Sequence, residues 1–214
     1  MAEGTGRVDA FSDGVFAIAI TLLILEIKVP HAGAEGGLWR GLAALWPSYV
    51  AFVLSFFVIL IMWVNHHELM RLVRGVTYPF LFANGLVLIT VTFVPFPTAI
   101  LAEHLSSVDN GPAVAFYCGT FILNSLSWGV LLWAILRDDL FRDDVDQETI
   151  SRIRRAYIAG PPVYVIATVL ALVRPWWGLA LNVSLWLLWI RLCYRTSVEL
   201  EGVNTRSAGG HRGG

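Results

Sequence analysis

The sequence predicts an all-α integral membrane protein with six transmembrane helices per subunit, and three observations carry that prediction. First, the 214 residues are 57% hydrophobic and only 14% charged, with nine tryptophans, too apolar for a water-soluble domain. Second, stretches free of Asp, Glu, Lys and Arg cover 41–67, 75–102, 110–136, 156–173 and 175–190, and "DGVFAIAITLLILEI" adds a further apolar segment near the N-terminus. Third, these stretches are continuous rather than alternating, which excludes the ten-residue strands of an outer-membrane barrel.

Taken in order, the first helix is expected over 6–29, ending before Pro30 and a glycine-rich loop, His31 to Gly37. It is the odd one. Asp13 and Glu26 bracket only the uncharged stretch Gly14 to Leu25, whereas crossing the hydrocarbon takes about 20 apolar positions. The second helix is expected over 41–70, the third over 77–104 and the fourth over 112–136, each long enough to cross with some tilt. Pro95 and Pro97 predict a kink in the third, with freed carbonyls met by nearby hydroxyls or another helix. The charged stretch "RDDLFRDDVDQETISRIRR", 137–155, reads as a solvated loop leading into a fifth helix, 152–173. Arg174-Pro175 predicts a tight turn into the sixth, 175–195. The segment 201–214 lacks the apolar content to pack and is expected to be disordered. No internal repeat is visible, so 1–200 reads as one six-helix domain.

Cations fix the expected orientation. With the N-terminus inside, Arg7, Arg71, Arg74, Arg137, Arg142, Arg152, Arg154, Arg155, Arg191, Arg195, Arg206 and Arg212 are cytoplasmic, against Lys28, Arg40 and Arg174 outside. Both termini are therefore expected in the cytoplasm. No cleavable leader is expected, since the first apolar stretch lacks a small-residue cleavage site and starts with an acid. Arginine supplies every cation except Lys28, which fits a GC-rich bacterial genome and an inner (plasma) membrane location. The net charge of −1 leaves no basic face for nucleic acid. Cys118 and Cys193 lie too far apart in sequence to suggest a disulfide framework or a metal knuckle.

Acids in a membrane helix are costly and usually face protein or water. Asp13 therefore either joins Arg7 or a donor from another helix inside a bundle, or sits with Asp9 and Arg7 as an ordinary boundary charge. Phe11, Gly14, Ile18, Leu22 and Leu25 share one helical face with Thr21 beside it. Such a stripe is packing core in a single bundle, or a pore wall if several copies surround an axis. In "MWVNHHELMR", His66 and His67 point to different faces and match no metal-ligand spacing, so Trp63 and His66 read as buried hydrogen-bonding groups. Ser12 has no nucleophile elbow around it, and neither a phosphate loop nor a paired carboxylate motif occurs, so an enzyme is not expected.

At "RVDAFSDGVFAIAITLLILEI", Arg7 followed by Phe11-Ser12-Asp13 resembles the signature at the start of the first helix in the transmembrane protein 175 potassium channel family. Trp63-x-x-His66 and the stretch from Asn84 to Pro95-Phe96 extend the resemblance over about the first half of the chain. The resemblance implies a homotetramer with the first helix lining a central pore, no re-entrant filter loop, no cofactor, and potassium ions and the lipid bilayer as partners. It implies that Ile18 forms the narrowest apolar ring and acts as gate and filter, that Leu22 and Leu25 continue the wall, and that Thr21 supplies a hydroxyl layer. It also implies that Arg7, Phe11, Ser12, Asp13, Trp63, His66 and Asn84 form a packing and assembly network. The expected activity is passive, potassium-selective or weakly selective cation conduction; the alternatives are an ion- or proton-coupled transporter relaying through Asp13 and His66, and a non-conducting scaffold.

Overall fold

The computed structural model describes residues 2–30 and 37–191, with side chains from Thr5 onward. The helices are α1 (Ala2–Leu22), which passes into a 3₁₀ turn (Leu23–Glu26), α2 (Gly37–Ala44), α3 (Trp46–Arg71), α4 (Tyr78–Thr92), α5 (Pro95–His104), α6 (Asn110–Arg137) and α7 (Gln147–Val173). Residues 175–191 are also helical and are called α8 here. Among the described residues five spans are long and apolar enough to cross a membrane: Thr5–Glu26, Trp46–Arg71, Tyr78–His104, Asn110–Arg137 and Gln147–Val173. The described residues hold no β-strand, only an isolated bridge between Val73 and Phe141.

The helix limits differ from expectation where local chemistry intervenes. α7 starts at Gln147, not near 152, because Asp146 accepts the Thr149 backbone N–H at 2.6 Å and caps it, while Glu148 faces Arg152 one turn on. The Thr149 amide holds the Asp146 carboxyl below the usual carboxylate range. The second expected helix is two, α2 and α3, parted at Leu45 with Pro47 in the first turn of α3. The third is interrupted at its prolines, as expected, into α4 and α5 of one continuous span: Pro95 and Pro97 lack the N–H groups that would bond Val91 O and Phe93 O, and Val94 N–H (3.1 Å) and Phe96 N–H (3.1 Å) take their place. The expected turn at Arg174-Pro175 is present, and the expected tail 201–214 lies outside the described residues.

α6 is the centre of the bundle. Of its most apolar window 56% is buried against 22% for α1, and Tyr117, Phe121, Leu131 and Ile135 are fully enclosed where α6 meets α4, α5 and α7. Hydroxyl groups cross this apolar interior in hydrogen-bonded sets. Thr98 Oγ1 donates to Val94 O at 2.7 Å, so the Ser55 hydroxyl 2.7 Å away donates to Thr98, and the Tyr117 hydroxyl at 3.2 Å donates to Ser55. One string of bonds thus ties α6, α3 and α5 and ends on Val94 O, which also accepts the Thr98 backbone N–H at 3.1 Å. A similar set links Asn124 of α6 to Thr90 of α4 (2.8 Å), which donates in turn to Val87 O (2.7 Å). At one end of the bundle α8 approaches α7 so closely that only glycine fits at 178: an added Cβ would lie 2.5 Å from the Ala171 Cβ and 2.6 Å from its Cα. At the other end the α3–α4 and α6–α7 loops are joined through Arg74 N–H to Leu140 O (2.8 Å) and Arg142 N–H to Leu72 O (2.9 Å).

Candidate functional site

α1 has two unlike faces. Ser12, Phe16, Ala19 and Leu23, spaced four, three and four apart, are 2% exposed or less and pack on α3 and α4. Away from them Phe11, Ile18, Leu22 and Leu25 are 65%, 59%, 41% and 62% exposed and form the uncovered face of α1. Gly14 and Thr21 are exposed on this side too. The Thr21 hydroxyl donates back to Ala17 O and Ile18 O, each at 2.9 Å, so what it presents outward is oxygen lone pairs.

The buried face carries a directed set of hydrogen bonds. Asn84 Nδ2 of α4 donates to Ser12 Oγ (3.0 Å), and Ser12 Oγ donates to Val8 O (2.8 Å). With its amide nitrogen so used, Asn84 offers Oδ1 to His66 Nε2 of α3 at 2.8 Å, which puts the ring proton on Nε2. His66 is fully buried, its ring 5.4 Å from Phe16 and 6.0 Å from Trp128. The bonds from His66 through Asn84 and Ser12 to Val8 all run in one direction, and a backbone carbonyl ends the run. The run locks α1 to α3 and α4 through Asn84.

Asp13 is half-buried beside it, and Trp63 Nε1–H of α3 donates to its Oδ1 at 2.7 Å. A groove of about 340 Å³ lined by Asp13, Phe16, Ala17, Ile20, Ile59 and Trp63 runs between the two helices here. The structure therefore brings together Ser12, Asp13, Trp63, His66 and Asn84. Arg7 and Phe11 stay outside this set: Arg7 is exposed and pairs with no described residue, so the carboxylate of Asp13 is served by an indole and not by the guanidinium. Ile18, Thr21, Leu22 and Leu25 belong to the uncovered face instead. Sequence reading missed the Ser55–Thr98–Tyr117 and Asn124–Thr90 sets, although isolated hydroxyl and amide groups inside apolar runs were the available signal.

Residues 7–95 match the family model described as the endosomal/lysosomal potassium channel TMEM175. A potassium channel of Chamaesiphon minutus (strain ATCC 27169 / PCC 6605) is 47% identical over 175 residues, 80% of this chain and 86% of that protein. The chain belongs to the TMEM175 family. The crystal structure of a lysosomal potassium-selective channel TMEM175 homolog from Chamaesiphon minutus superposes with a TM-score of 0.79 at 41% identity, covering 92% of this chain and 99% of that one. The endosomal/lysosomal proton channel TMEM175 of Bos taurus is 39% identical over 130 residues, 54% of this chain but only 27% of that longer protein. The segment that matches the TMEM175 model contains both faces of α1 and every partner in the lock, from Ser12 to Asn84.

Proposed function

We propose that the protein is a passive potassium channel, selective or weakly selective for potassium over other cations, and that copies of it assemble as a homotetramer whose α1 helices line a central pore. The observation that carries this is the asymmetry of α1: one face is fastened to α3 and α4 by hydrogen bonds, while the other holds a row of apolar side chains and one hydroxyl left exposed among the described residues. Its relatives' names supply the ion. In this assembly Ile18 forms the narrowest ring, Leu22 and Leu25 continue the wall, and Thr21 contributes a layer of oxygens. An isoleucine ring that is closed excludes water and ions together; one that is slightly wider forces partial dehydration, which costs potassium less than sodium, and the Thr21 oxygens replace part of the lost hydration. No cofactor takes part.

The excess of arginine on one side supports a bacterial inner membrane location with both termini in the cytoplasm. In that orientation the joined loops around Arg74 and Arg142 are cytoplasmic, and Lys28 is outside.

The test is cation flux into liposomes containing the purified protein, with potassium and with sodium, for wild type and Ile18→Asn. Wild type is expected to take up potassium faster than sodium, and Ile18→Asn is expected to bring the two toward equality. Wild-type preference retained in Ile18→Asn overturns the assignment of the constriction to α1.

A further inference from the structure

We propose that Lys28 is a tethered cation that brakes potassium passage at the mouth of the pore remote from the N-terminus, a role that rests on α1 lining the pore. The 3₁₀ turn Leu23–Glu26 ends α1, and Ile27 leaves it in an extended conformation (φ −86°, ψ 99°). The last carbonyls of a helix have no partner within it. One of them, Leu25 O, belongs to the residue whose side chain continues the uncovered face. Lys28 folds back on it: Nζ donates to Leu25 O at 3.0 Å and lies 4.0 Å from Glu26 Oε2. The Lys28 side chain is 76% exposed, so it has no packing role that would explain the fold-back, whereas Glu26 is 22% exposed.

Two consequences follow for an ion at that mouth. A ring of backbone carbonyls is the kind of ligand that replaces water around potassium. The ammonium of Lys28 already occupies the Leu25 carbonyl, so an ion crossing this point must compete with a cation that is covalently held in place. The second is charge. Glu26 and Lys28 cancel within each subunit, and removing the lysine charge leaves one carboxylate per copy around the axis, a field that concentrates cations and is screened by salt.

The experiment is single-channel recording of the full chain in planar bilayers at about 20 mM and about 1 M KCl, where the screening lengths are on the order of 20 Å and 3 Å. It compares wild type, Lys28→Met, Lys28→Arg and Ile18→Asn. Lys28→Met keeps the stem and loses the donor and the charge; it is expected to raise conductance about threefold at low salt and to converge on wild type at high salt. Lys28→Arg, which keeps the charge and the donor, is expected to match wild type at both. Equal conductance of Lys28→Met and wild type at low salt, or an equal gain from Lys28→Arg, overturns the brake. Ile18→Asn separates the two readings: if it shifts the potassium/sodium reversal potential while Lys28→Met is silent, the pore stands and the brake falls. An unshifted reversal potential removes the pore reading and the brake with it.

Discussion

At the residue scale, Asp13 shows how an acid is kept inside an apolar helix. A part-buried carboxylate without a donor is costly by about 1–3 kcal/mol, more than one neutral hydrogen bond returns, so the indole of Trp63 matters chiefly by not being absent. Trp63→Phe keeps the ring surface and removes the N–H; it is expected to lower the thermal midpoint of the assembled protein by an amount equivalent to about 1–3 kcal/mol, read by size-exclusion after heating. Asp13→Ala is expected to lower the yield of the proposed tetramer. If the bond is the shared cause, the double variant is less impaired than the sum of the two singles. Additive losses would show that the carboxylate and the indole act separately, and a normal assembly profile for Asp13→Ala would reduce it to a boundary charge. His66, Asn84 and Ser12 form a different kind of unit, because their bonds all point one way. Removing Asn84 leaves the buried His66 Nε2–H without its acceptor, while Ser12 keeps its bond to Val8 O.

At the scale of elements, the α7–α8 hairpin depends on one missing side chain. Gly178→Ala places a methyl against the backbone of Ala171, and neither helix can yield without disturbing the turn at Arg174. The expected loss is about 1–3 kcal/mol, the range for overpacking. Gly129→Ala in α6 is the matching control: its Cβ meets nothing within 4 Å, so it is expected to be neutral or to gain up to about 1 kcal/mol from helix propensity. Denaturation in detergent, followed by tryptophan fluorescence, compares the two. Equal effects would mean that hairpin packing is not limiting.

Elements also show what the sequence makes legible. Uninterrupted apolar runs mark α3, α4–α5, α6 and the two arms of the hairpin, because hydrocarbon length is a constraint that composition must satisfy. Their ends are harder to read. The stretch 147–151 looks like loop until the cap at Asp146 and the Glu148–Arg152 pair are seen to hold a water-exposed helical turn ahead of the expected helix. The proline interruption at Phe93–Val94 is legible, but not its bonding, because a proline reports that a bond is lost and not which neighbour replaces it. At the site, Asp13 announces an internal partner, and the family motif names Trp63, His66 and Asn84. The choice of Trp63 over Arg7 is settled only by which groups the packing of α1 on α3 brings within reach.

At the scale of the whole molecule, fastening is distributed along the bundle axis. One end has the Gly178 contact, the middle has the hydroxyl sets, and the other end has the two loops bridged through Arg74 and Arg142. There Arg74 Nη2 donates both to the carbonyl and to the carboxylate of Asp139, each at 2.6 Å, a residue at φ 49°, while Nη1 reaches Asp143 at 2.7 Å. The arrangement looks strong, yet Arg74 is 42% exposed and its partners 89% and 91%, so solvent screening leaves each pair worth on the order of 0–1 kcal/mol. Arg74→Ala is therefore expected to change thermal stability by no more than about 1 kcal/mol, and less in high salt. A larger, salt-insensitive loss would show that the left-handed turn at Asp139 needs its guanidinium. Nearby, the Arg142 guanidinium holds the Asp144 carboxyl below its usual range. That small contribution is present above the ordinary carboxylate range and fades as the pH falls through the lowered value.

The change of winding at Leu22 has a geometric result. A 3₁₀ turn rises about 2.0 Å per residue against about 1.5 Å for an α-helix, so Leu23–Glu26 reaches about 2 Å farther than the same residues would in α1 and partly makes up for the short uncharged stretch. It also eclipses side chains three apart. Leu22 and Leu25 are thereby set one above the other, parallel to the helix axis, instead of spiralling away from each other. In the proposed assembly a small twist of this helix would swing both leucines off the ion path in unison, giving that part of the conduit the character of a hinged slat and not of a diaphragm.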